Sequence, residues 1–227
     1  MIETLPNYVN QQWVYPTASE KIDVLNPTTD EVISQIPASS FTDVDSTVQA
    51  AQKALQEWRE TPATDRIQYL FRLKQLLEEN LDSLAQTITI ECGKTLAESK
   101  GELRRAIENV EVACGIPMLM QGYNSEDIAK GIDETMIRQP VGVCAAITPF
   151  NFPAMIVFWF LPYAIACGNT IIVKPSEKVP NTMQQIFQLL HQVGLPKGVV
   201  NLLHGNAEVA EALIDHPQVK AISFVGS

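Results

Sequence analysis

Residues 141–178 read VGVCAAITPFNFPAMIVFWFLPYAIACGNTIIVKPSEK, and this stretch decides the fold. Two short apolar runs, Val141 to Ile147 and Thr170 to Val173, bracket an apolar segment from Pro153 to Ala166 that is predicted to be a buried helix. No charged residue lies between Arg138 and Lys174. Continuous apolar runs of strand length, separated by a helix-length segment, predict parallel strands buried on both faces. The run from Phe152 to Cys167 falls short of the ~20 residues of a membrane helix, and prolines interrupt it. Buried core is the reading, with no membrane partner.

The pattern continues beyond it. A helix is predicted over Thr182 to Val193, ending at Gly194, then a strand over Val199 to Leu203. A helix over Glu208 to Asp215 and a strand over Lys220 to Val225 follow. Strand and helix alternate with short loops, so the class is α/β, a Rossmann-like parallel sheet with helices on both faces. The chain's last residues, Gly226-Ser227, follow a buried strand directly. A parallel strand normally feeds a crossover helix, so the fold reads as truncated.

Upstream, the helical period takes over. Val44, Val48, Ala51, Leu55 and Trp58 mark one helix, and further helices are predicted over 62–79, 81–92 and 95–114. The first forty residues alternate β-like pieces with turns: Asn7 to Val9, Gln12 to Val14, Asn26-Pro27-Thr28 and Val32 to Ile36. Glu126 to Arg138 is polar and reads as an exposed ribbon. The predicted organisation is an N-terminal helical part over 1–125, a connecting or oligomerisation ribbon over 126–140, and an incomplete nucleotide-binding part over 141–227.

Composition narrows the partners. Lys and Arg number 16 against 26 Asp and Glu, a net charge of −10, with no basic cluster, which argues against nucleic acid. Cys92, Cys114, Cys144 and Cys167 form no C-x-x-C pair, and the three histidines sit near no ligand-like cluster, so no metal site is expected. Scattered cysteines and an N-terminus without an export signal point to reduced thiols in the cytoplasm.

Ligands of open α/β sheets bind beyond the carboxyl ends of the strands, and three predicted strand ends carry unusual polar residues. At the first, Thr148-Pro149-Phe150-Asn151-Phe152-Pro153 places an amide between fixed prolines. Asn151 suits a held oxyanion donor, and it equally suits a cap for a helix starting at Pro153. At the second, Lys174 ends a buried strand and Glu177 follows; the pair suits ribose hydroxyls or phosphate, or an ordinary solvated loop. At the third, Gly226-Ser227 stands where a helix should begin, and a glycine there lets backbone approach a pyrophosphate. There is no G-x-G-x-x-G.

Taken together these residues resemble the aldehyde dehydrogenase superfamily, across essentially the whole chain. The resemblance rests on Asn26-Pro27 with Glu31-Val32, Glu91-Cys92-Gly93-Lys94, the Pro149 to Pro153 block and Gly168-Asn169-Thr170. It continues through Lys174-Pro175-Ser176-Glu177, Gly194-Leu195-Pro196 with Gly198-Val199, and Ser223 to Ser227. Within the superfamily the chain looks like the CoA-acylating methylmalonate-semialdehyde dehydrogenases. Phe150 stands where most members have Trp, and Glu102 to Arg105 with Ile107 to Glu111 resembles that subfamily's helix.

The resemblance implies NAD as cofactor, CoA as co-substrate of the complete enzyme, and a small-molecule semialdehyde as substrate. It also implies a homodimer or homotetramer. By the same resemblance Asn151 would hold the oxyanion, Thr148 and Phe150 would contact the cofactor, Lys174 and Glu177 would bind the adenosine ribose, and Gly226 and Ser227 would meet the pyrophosphate. Lys178 stands beside them where the subfamily has Arg, keeping charge but not the planar fork. Arg105 would pair with the substrate carboxylate; as bare sequence it reads as a surface salt bridge with Glu102 or Glu108. The family's nucleophilic cysteine has no counterpart, so these 227 residues alone are expected to be inactive. The alternatives are another NAD(P)-dependent semialdehyde dehydrogenase, or a non-catalytic interaction module.

Overall fold

The computed structural model describes residues 2–16 and 20–226. Strands β1 (Asn7–Val9) and β2 (Gln12–Val14) form a tight hairpin, and β3 (Lys21–Leu25) and β4 (Val32–Pro37) a second. Helices α1 (Phe41–Trp58), α2 (Ala63–Glu79), α3 (Leu81–Cys92) and α4 (Leu96–Ala113) follow, then a short α5 (Ile116–Leu119). Next comes an exposed antiparallel ribbon of β5 (Tyr123–Ala129) and β6 (Ile132–Met136).

The remainder alternates. It comprises β7 (Val143–Ile147), α6 (Met155–Phe158), α7 (Leu161–Ala166), β8 (Thr170–Lys174), α8 (Pro180–Val193), β9 (Val200–Leu202), α9 (Ala207–Asp215) and β10 (Val219–Phe224).

One six-stranded sheet, in the order β10-β7-β8-β9-β1-β2, organises the chain. β10, β7, β8 and β9 run parallel, as the apolar runs predict. The N-terminal hairpin extends the sheet antiparallel to β9, through Tyr8 opposite Leu202. Alternate residues of the central strands β7 and β8 face opposite cores, the period-two geometry of a pleated strand. Val143, Ala145 and Ile172 pack with Val44, Val48 and Ala51 of α1 and Val209 and Leu213 of α9. Ala146, Ile171 and Val173 face the larger core, where α2, α3, α4, α7 and α8 converge on Leu70, Leu103, Phe158 and Phe187.

Helix ends follow local chemistry. Ser40 and Asp43 form a capping box at the start of α1, and Thr95 and Glu98 form one at α4; each satisfies backbone donors that a helix start leaves free. Gly93 and Gly194 end α3 and α8 in the left-handed conformation that a side chain disfavours.

Two expectations need correction. The helix predicted from Pro153 to Ala166 is two short helices broken at Trp159-Phe160, with Pro162 in the first turn of α7, where its missing N–H costs nothing. Asn26-Pro27-Thr28 is a turn, its Asn26 side chain accepting from the Thr28 N–H at 2.9 Å, and the strand lies before it, Lys21–Leu25 pairing with β4. Among the described residues no helix is long and apolar enough to cross a membrane, and no group of three or more His, Cys, Asp or Glu side chains could hold a metal.

Candidate functional site

Parallel register puts the strand tips side by side. Ile147 pairs with Lys174 on one flank and with Phe224 on the other. The Thr148 N–H donates to the Lys174 carbonyl at 3.2 Å, and the Val225 N–H to the Ile147 carbonyl at 3.1 Å. Beyond the tips opens a cleft of about 640 Å³. Thr148, Phe150 and Asn151 line it from the first loop, Lys174, Glu177 and Lys178 from the second, and Gly226 from the third, with the first turns of α9 on the far wall. Ser227 lies outside the described residues.

Lys174 is buried, and its ammonium has one side-chain partner among the described residues, Glu177 at 3.5 Å. Burial pulls its pKa below the usual lysine range, opposed by Glu177. Behind it, the fully buried His204 contacts Gln184 through Nε2 at 3.1 Å. Burial, reinforced by the Lys174 charge, holds the His204 imidazole down to about 3, so it stays neutral. His204 Nδ1 and Thr148 Oγ1 are both buried without a hydrogen-bond partner among the described residues.

The first and second loops touch across the cleft, Lys178 Nζ lying 4.9 Å from the centre of the half-exposed Phe150 ring. Asn151 is exposed, and its side-chain amide makes no hydrogen bond to a described residue. It caps no helix, since α6 starts after Ala154 without a side-chain cap. Arg105 stands apart from the cleft lining. It projects from α4 with 69% of its side chain exposed and pairs with Glu108 at 2.9 Å, the surface bridge that bare sequence offered.

Two carboxylates escaped the sequence reading. Glu91, at the end of α3, accepts from the Asn181 and Thr182 N–H groups at 2.7 and 2.8 Å and so caps α8, which follows the second loop. Burial pushes its carboxyl up to about 7, opposed by those donors. Glu102 accepts from the backbone just past Asn151. Each breaks the polar-outside rule at a helical position facing the core, which is the signal that could have revealed it. The four cysteines are free, and burial raises every thiol, Cys144 up to about 11.

A family model described as the aldehyde dehydrogenase family matches residues 13–227. The chain belongs to the aldehyde dehydrogenase family. It is 47% identical over 226 residues to malonate-semialdehyde dehydrogenase 2 of Geobacillus kaustophilus, covering 100% of this chain and 47% of that aldehyde dehydrogenase. The methylmalonate-semialdehyde dehydrogenase structure from Oceanimonas doudoroffii superposes with a TM-score of 0.96 at 43% identity, covering 100% of this chain and 46% of that one. A protein of Sinorhizobium meliloti 1021, provisionally described as a methylmalonate-semialdehyde dehydrogenase and crystallised with NAD, gives a TM-score of 0.96 at 37% identity, again over 100% and 46%. The chain thus spans about half the length of the curated relatives it matches.

Proposed function

We propose that this chain is the cofactor-binding portion of an NAD-dependent, CoA-acylating dehydrogenase of malonate or methylmalonate semialdehyde. The observation that carries the reading is the convergence of three strand-tip loops on one cleft, with buried Lys174 beside Glu177 and a free Asn151 amide at the mouth. The cleft volume is that of a small-molecule site. Its polar groups fit a dinucleotide: Lys174 has donors to spare, Thr148 Oγ1 lacks a partner, and Glu177 is an acceptor for hydroxyls.

Lys174 and Glu177 would hold the adenosine ribose, Thr148 and Phe150 would flank the cofactor, and Lys178, Gly226 and Ser227 would serve its phosphate side. NAD, when bound, would take up the hydride. Asn151 would donate its amide N–H to the oxyanion formed when an aldehyde is attacked by a thiolate. The complete enzyme would pass its acyl group to CoA with loss of carbon dioxide, and Arg105 would hold the substrate carboxylate after leaving Glu108. A cytoplasmic setting and a homodimer or homotetramer go with this reading. The 126–140 ribbon, with Ile128, Ile132 and Ile137 exposed, would serve as the assembly element between the 1–125 and 141–227 parts.

None of the four cysteines within these 227 residues suits the nucleophile, because a reactive thiol needs a lowered pKa and all four are raised. The purified 227-residue chain should therefore yield no NADH from malonate or methylmalonate semialdehyde, with or without CoA. Measurable turnover would overturn that part of the proposal. Calorimetric heat on adding NAD supports the cofactor role, and none at millimolar NAD counts against it.

A further inference from the structure

The Glu91-Cys92-Gly93-Lys94 corner and the Glu102 carboxylate touch the loop that carries Asn151 at three points. Glu102 Oε1 accepts from the Ala154 N–H at 2.9 Å and the Met155 N–H at 3.1 Å, while Oε2 takes the Lys94 ammonium at 2.5 Å. Lys94 Nζ also lies 3.8 Å from the centre of the Phe152 ring. Cys92 Sγ donates to the Phe150 carbonyl at 3.4 Å. Residues 150, 152, 154 and 155 are thus gripped from α3, α4 and the turn between them, on both sides of Asn151.

Isolated surface ion pairs do little, yet this carboxylate is only 4% exposed and spends both oxygens. Residues 150–153 lie outside regular structure and no side chain of the segment caps α6, so beyond the φ restriction of Pro149 and Pro153 the Asn151 amide is held by the contacts from α3, α4 and the turn between them. An oxyanion donor works only if fixed before the charge develops.

We infer that Glu102, held by Lys94, is the positioning residue of the Phe150–Met155 segment and sets where Phe150 and Asn151 stand in the cleft. The inference rests on the cofactor-site reading for its functional consequence, but not for its structural one.

The test measures backbone amide exchange and NAD affinity together on the 227-residue chain. In Glu102→Ala, exchange over residues 152–157 should rise ~10-fold or more, with NAD bound ~10-fold more weakly, the scale of a lost charge-assisted hydrogen bond. Glu102→Gln keeps an acceptor for both N–H groups and should recover most of the exchange protection. Lys94→Met should fall between. Those two milder variants keep the measurement possible should Glu102→Ala not fold. Unchanged exchange over 152–157 would overturn the inference, as would faster exchange with NAD affinity intact, which marks a merely structural carboxylate. If the unaltered chain binds no NAD, the cofactor reading fails separately, and the exchange result still decides whether Glu102 holds the segment.

Discussion

Replacing Lys174 with Met separates binding from folding more sharply than any other single change. The side chain is 4% exposed, and its ammonium, with three donors, meets one carboxylate at 3.5 Å, at the outer limit of a hydrogen bond. The fold therefore gains little from this charge and bears its desolvation, as the lowered pKa records. A methionine of similar length keeps the stem packing and leaves Glu177 partly solvated. Removing one member of a buried pair destabilises when it strands the other, but the Glu177 side chain is 36% exposed and stays hydrated, so losing the Lys174 charge removes its desolvation cost without that penalty. For a chain of this size each kcal/mol moves the midpoint by ~2–4 °C, so Tm should hold or rise.

Binding should move the other way. A ribose hydroxyl losing a charged donor costs ~1.5–3 kcal/mol, or roughly 10- to 150-fold in Kd. Lys174→Met should also raise the His204 pKa from about 3, since the Lys174 charge helps hold it down. Calorimetry with NAD, a melting curve and histidine NMR on one preparation read all three. A Kd within twofold of the unaltered chain's, or a Tm lower by more than ~5 °C, would refute the reasoning.

Two further outcomes test the scaffold. His204 is held neutral in the fold, so its stabilising contribution is complete above the unfolded pKa of 6.5 and is lost as pH falls toward about 3. Urea titrations should show His204→Leu losing stability less steeply than the unaltered chain across that window, by up to ~1.4 kcal/mol per pH unit; parallel curves would exclude the buried neutral imidazole. At Gly198, φ is +80° and a Cβ would lie 2.6 Å from the Ala50 carbonyl oxygen, so no rotamer relieves Gly198→Ala. It should cost more than ~1 kcal/mol in Tm-derived stability, and an unchanged melting curve would contradict the packing of α1 on the β9 approach.

Much of this architecture is legible in the residues because apolar period, caps and glycines agree with one another. Gly93 and Gly194 punctuate the chain where α3 and α8 end, and the two apolar runs before Lys174 are the buried central strands β7 and β8. What escaped depends on distant partners. Lys21–Leu25 alternates charged and apolar residues over only four positions, too short a run to stand out without its pairing with β4. The antiparallel addition of Asn7–Val9 to β9 joins residues nearly the whole chain apart. At the site, the uncommon polar residues at strand ends stand out because burial should exclude them. Glu102 and Glu91 show only as acidic residues on the apolar stripes of α4 and α3, and their roles emerge once their backbone donors, some 50 and 90 residues away, are in place. Arg105 shows the converse, its local salt bridge with Glu108 being the one the helix spacing already offered.

The proposed function requires the three strand tips to receive one dinucleotide. Titrating NAD into the isotopically labelled chain and following backbone amides by NMR tests this directly. Shifts should concentrate at Thr148, Phe150 and Asn151, at Glu177 and Lys178, and at Val225 and Gly226, and in Lys174→Met the same shifts should need roughly 10- to 150-fold more NAD. Shifts clustered on the 123–136 ribbon or on the outer faces of α2 and α3, with the cleft amides unmoved, would contradict it.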